Sequence, residues 1–94
     1  MRPTRMADPD PPLARLRNLG PASAAWLAAA GVGTPAALRR LGPVEAFRRV
    51  AVHRTGDVSA NLLYALAGAV EGRSWLSYTP DERAALRRAA GLAP

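Results

Sequence analysis

An all-α fold, a compact bundle of about five short helices, is predicted by three observations. Residues that start and stop helices recur at short intervals from Leu13 to Leu92. The apolar side chains between them fall at three- and four-residue spacing. No segment alternates apolar and polar with period two, so no sheet is expected.

The elements come in order along the chain. Residues 1–12 hold four prolines, mixed charge and little apolar mass, which reads as a flexible tail before one helical domain over 13–94. A short turn or helix covers about Leu13 to Arg17 and breaks at Asn18-Leu19-Gly20. Pro21 suits the first position of a helix, where its missing N–H costs nothing. That helix runs to about Ala30, with Gly31 as left-handed cap and Val32 folding back onto Leu27. Thr34-Pro35 starts the next helix, which presents Leu38 and Leu41 and stops at Gly42. Pro43 opens a third, with Val44, Phe47 and Val50 on one face. Thr55-Gly56-Asp57 is a loop, and Asp57 or Ser59 can cap the fourth helix. Ser59 to about Gly72 carries the widest apolar stripe and should be the central helix. Arg73 to Tyr78 is a connector holding Trp75. Thr79 and Glu82 form a capping box for a last helix that ends at Ala90, with Gly91 beyond it. The expected core is Leu27, Leu38, Phe47, Leu62, Leu66 and Trp75. Leu-Gly-Pro-x-x-Ala occurs at Leu19 and again at Leu41, either as one helix-start solution used twice or as a trace of duplication.

The composition narrows the function. The chain has 94 residues, no cysteine, and a net charge of +6 carried by arginine without lysine. Thiolate metal sites, disulfides and cysteine nucleophiles are thereby excluded. The positive excess favours an anionic partner. No secretory signal or membrane-length apolar run is visible, so a cytoplasmic protein without a membrane partner is expected. The only histidine, His53, has no base-and-orienter arrangement fixed by its spacing to Asp57 and Ser59. The acidic residues are scattered rather than clustered for metal binding. A non-enzymatic protein without cofactor or small-molecule substrate is expected.

The informative stretch is Leu16 to Leu27, which has the form of two helices joined by a tight turn. Asn18 and Gly20 can supply positive φ in such a turn. A turn of this kind aims backbone N–H groups at a helix start, where a phosphate oxygen can sit. Gly20 and Ser23 are the candidate donors, and Arg15, Arg17, Arg48 and Arg49 the candidate charges. The same hairpin also serves as packing architecture in SAM-like interaction domains, and arginines near helix ends also answer the macrodipole.

The Leu-Arg-Asn-Leu-Gly-Pro opening, the Ala-Gly-Val closing of the first long helix and Asn61-Leu62-Leu63-Tyr64-Ala65-Leu66 carry a more specific signal. With Gly68, Trp75 and the Thr79 box they resemble the C-terminal domain of the TfoX (Sxy) family, over about residues 13–92. That resemblance implies a helix-hairpin-helix or SAM-like fold and a regulatory role in natural competence, alongside the cyclic-AMP receptor protein. It supplies no active-site residues. The α/β domain that precedes this domain in typical members has no counterpart in the sequence. Two readings are open: weak, non-specific DNA binding through the hairpin and arginines, or docking on a transcription factor, on RNA polymerase or on a second copy.

Overall fold

The computed structural model describes residues 13–54 and 58–92. The tail expected over residues 1–12 and the loop at Thr55-Gly56-Asp57 lie outside the described residues. Five α-helices succeed one another: α1 (Pro21–Ala29), α2 (Pro35–Leu41), α3 (Pro43–His53), α4 (Ala60–Glu71) and α5 (Pro80–Ala89). Single 3₁₀ turns occupy Leu13–Arg15 and Trp75–Ser77. The fold is all-α, and the described residues contain no strand.

Local chemistry explains the boundaries. Proline stands in the first turn of α1, α2, α3 and α5, where the N–H it lacks would have had no helical acceptor. The Thr34 hydroxyl accepts from the Ala37 N–H at 3.1 Å. At α5 the capping box is complete: Thr79 Oγ1 accepts from the Glu82 N–H at 3.1 Å, and Glu82 Oε1 accepts from the Thr79 N–H at 2.8 Å. Ser59 occupies the N-cap of α4, but its side chain makes no capping bond. The Val32 N–H reaches back to the Leu27 carbonyl, and the Leu92 N–H to the Arg87 carbonyl, both at 2.8 Å. These close α1 and α5 as Schellman endings.

The repeated Leu-Gly-Pro does not repeat one backbone. Gly20 is extended, with φ −123° and ψ −173°, whereas Gly42 has φ +85° and ψ 162°. Both ψ values are those that a following proline enforces. Gly42 differs because it also terminates α2, so one residue caps two helices and must turn the chain through positive φ.

The central helix is α4. Every residue from Leu62 to Gly68 is buried, and α3 packs on it more extensively than any other helix. Leu27, Val32, Leu38, Val50, Leu63 and Leu66 are the largest fully enclosed side chains. Leu27, Leu38, Phe47, Leu62 and Leu66 are therefore core, as expected. Trp75 is a correction: it is only partly buried against that core, because it sits on the connector at the rim of a groove.

Candidate functional site

The hairpin is built from the first 3₁₀ turn, residues 16–20 and α1. The Leu16 N–H donates to the Leu13 carbonyl at 3.0 Å and the Leu19 N–H to the Leu16 carbonyl at 3.1 Å. Asn18 takes the left-handed conformation, φ +74°, and is the sole non-glycine residue to do so among those described. The sequence leaves positive φ open to either Asn18 or Gly20; Gly20 does not adopt it. Pro21 holds Gly20 at an extended ψ, and Gly20, unlike Gly42 before Pro43, does not have to end an α-helix through positive φ.

Asparagine is the fitting residue for this turn because its side chain has a second task. Asn18 Nδ2 donates to the Arg73 carbonyl at 2.9 Å and, at 3.4 Å, to that of Ala65. Its Oδ1 accepts from the Trp75 N–H at 3.2 Å. A glycine would satisfy the backbone but leave those groups unpaired. Gly68 makes the approach possible: a Cβ there would stand 2.3 Å from Asn18 Nδ2 and 2.4 Å from the Arg73 carbonyl oxygen. The amide of Asn18 thus ties the hairpin to the end of α4 and the connector.

Asn18 and Ser23 line one groove of about 360 Å³ together with Trp26, Asn61, Leu62 and Trp75. The first helical bond of α1 runs from the Ala24 N–H to the Gly20 carbonyl, at 2.9 Å, so the Ala22 and Ser23 N–H groups have no helical acceptor. Arg15 and Arg17 are exposed on the first arm of the hairpin. Arg48 and Arg49 are exposed on α3, and Arg49 is paired with Glu45 at 3.2 Å. No hydrogen bond or ion pair among the described residues links Arg48 or Arg49 to the hairpin. The geometry therefore joins Asn18 and Ser23 in one groove and leaves the four arginines as solvent-facing charges. Arg54 lies 4.3 Å above the Trp26 ring, a cation–π contact that covers one of its faces.

A second polar cluster has no counterpart in the sequence reading. The Arg73 guanidinium forks onto Glu82, with bonds of 3.2 and 3.1 Å, and lies 3.6 Å from Glu71. It donates as well to the Ser77 hydroxyl and carbonyl, and stacks 4.0 Å over the Tyr78 ring. The hydrogen bond from Arg73, then the Thr79 N–H, holds the Glu82 carboxyl below its ordinary pKa. Burial, then the 2.9 Å bond that its hydroxyl donates to Glu71, pushes the Tyr78 pKa up to about 12. The Glu82 capping box is visible in the sequence; its capture of an arginine nine residues earlier is not.

His53 is exposed in the last turn of α3. No group of three or more His, Cys, Asp or Glu among the described residues could hold a metal ion. No described helix is long and apolar enough to cross a membrane.

Comparison with known proteins agrees with this architecture. A crystal structure of an uncharacterized protein from Listeria monocytogenes superposes with a TM-score of 0.77 at 31% sequence identity, covering 89% of this chain and 99% of that one. No curated protein matches. Residues 10–90 match the TfoX C-terminal domain, which spans the whole described fold apart from its last two residues, and the chain belongs to that family.

Proposed function

We propose that this chain is a non-enzymatic regulatory module, serving transcription or competence, that holds DNA weakly through phosphate contacts. The observation that carries this reading is the uneven pairing of charge. Among the described residues Glu45 is committed to Arg49, and Glu71 and Glu82 to Arg73. Arg15, Arg17 and Arg48 are exposed and paired with no carboxylate among the described residues, on a chain of net charge +6. Family membership supports the regulatory part of the reading. The hairpin supplies the Ala22 and Ser23 N–H groups, which have no helical acceptor, and its first arm carries Arg15 and Arg17.

A salt-titrated assay with an arbitrary duplex tests it. Binding should be indifferent to sequence, with a dissociation constant of roughly 10⁻⁴–10⁻⁶ M near physiological salt. Three neutralised phosphates would give a slope of about −3 in log K against log salt. Arg17→Ala should reduce that slope by about one. Absence of binding at low salt and high micromolar protein would overturn the reading. The groove between Trp26 and Trp75 would then favour the second account, in which the module docks on a protein of the transcription machinery.

A further inference from the structure

We infer that the cleft between α5 and the connector, around Arg83 and Arg87, is a binding site for one phosphoryl oxyanion. The cleft has a volume of about 390 Å³ and is lined by Tyr78, Pro80, Arg83 and Arg87. Arg83 and Arg87 are one helical turn apart and share a face of α5. Both converge on Tyr64. The Arg83 guanidinium lies 5.2 Å from the centre of the Tyr64 ring, and Arg87 Nη1 donates to the Tyr64 hydroxyl. Two guanidinium groups are thus held within the span of one buried phenol ring, and the cleft lining contains no carboxylate to separate them.

Two further facts make this more than a solvated pair. Arg83 Nε is enclosed by protein and has no hydrogen-bond acceptor. With Nε closed off, the Arg83 charge is offered to the cleft through its terminal nitrogens, and an oxyanion presenting two or more oxygens can bridge them to the Arg87 guanidinium. The acids nearest in sequence are not in place to do so. Glu82 is turned to Arg73 and the Thr79 N–H, Glu71 accepts from the Tyr78 hydroxyl, and Asp81 is exposed. At the start of α5 the capping box serves the Thr79 and Glu82 N–H groups and Pro80 has none, so the cleft is charged chiefly by the two arginine side chains. A tetrahedral phosphoryl group meets the forked geometry of two arginines better than a point charge would.

The inference stands apart from duplex binding by the hairpin, and its test reads the site directly. Inorganic phosphate is titrated into the ¹⁵N-labelled full chain at constant ionic strength while the arginine Nε–H resonances are followed. The Arg83 signal should shift and saturate with phosphate and not with chloride. Arg83→Gln and Arg87→Gln should each weaken the apparent affinity about tenfold or more, the usual loss for a charged hydrogen bond. Arg88→Gln removes the same charge from an exposed neighbour and should leave affinity unchanged. Arg83→Lys keeps the charge but not the fork, and should also lose binding. A linear drift shared by phosphate and chloride, equal loss in Arg88→Gln, or full binding by Arg83→Lys would overturn the site. A duplex added in a second arm identifies the source of the phosphoryl group. Displacement of phosphate by the duplex assigns the site to nucleic-acid backbone; phosphate binding that the duplex leaves untouched assigns it to a free phosphorylated ligand.

Discussion

Arg73 and the Arg83–Arg87 pair both neighbour Tyr78, yet they occupy opposite electrostatic states. Arg73 is surrounded: a fork onto Glu82, a second carboxylate from Glu71, two acceptors from Ser77 and an aromatic face. Arg83 has a ring beneath it and an unmatched Nε. The residue type and the half-buried setting are the same; the placement of two glutamates decides the difference. A satisfied arginine is part of the scaffold, and its charge is not offered to a partner. The positive excess of this protein is therefore better read position by position than as a sum.

That contrast can be broken from the scaffold side first. Asn18→Ala should have the largest effect. It strands the Arg73 carbonyl and the Trp75 N–H and forces an alanine to keep φ +74°. A loss of about 2–4 kcal/mol is expected from the turn strain and the lost bonds. Asn18→Gly relieves the strain and should lose less; equal losses in chemical denaturation would refute the double role of Asn18. Gly68→Ala comes next, at about 1–3 kcal/mol, since the added methyl meets a backbone carbonyl that cannot swing aside. A thermal midpoint unchanged by it would show that the hairpin does not press on α4.

Titration tests the same scaffold without mutation. Tyr78 holds its proton more tightly folded, with a pKa of about 12, than unfolded, near 10. Its contribution is therefore complete below about pH 10 and is lost as pH rises toward 12, an effect on the order of 2 kcal/mol. Tyr78→Phe should flatten the alkaline limb of stability against pH. The smallest change is expected in the cleft: Arg83→Gln should move stability by no more than about 0.5 kcal/mol, or raise it slightly by separating two like charges. A large loss there would make Arg83 scaffold after all and erase the contrast.

Most of the fold is legible in the sequence because its signals are local. Proline at the first helical position and glycine past the last fix boundaries within a few residues of chain, and α4 declares its centrality through its unbroken apolar run. The site is legible only where the same locality holds. The capping box at Thr79 needs three residues of context, and it is present. The extended ψ of Gly20 is local too, since Pro21 dictates it, but its φ is not, because Gly42 before Pro43 takes the opposite sign. Where side chains meet across the fold is another matter. The amide of Asn18 finds the Arg73 carbonyl 55 residues later. Arg87, which looks like an answer to the helix dipole, reaches Tyr64 on another helix. Neither pairing leaves a trace in spacing or periodicity.

The Asn18 clamp also sets an order of events for a chain leaving the ribosome. The amide of Asn18, which compensates its left-handed turn, lacks its two shorter bonds until the Arg73 carbonyl and Trp75 N–H exist, 55 and 57 residues downstream. At about 5–20 residues per second, that is a wait of roughly 3–11 seconds. Through that interval α1 to α3 can gather, but the hairpin turn is held only by its local bonds from Leu16 to Leu13 and from Leu19 to Leu16. The first part of the domain to be synthesised is thus among the last to be fixed, and a nascent chain stalled before Arg73 would display the arginines of the hairpin without the geometry that frames them.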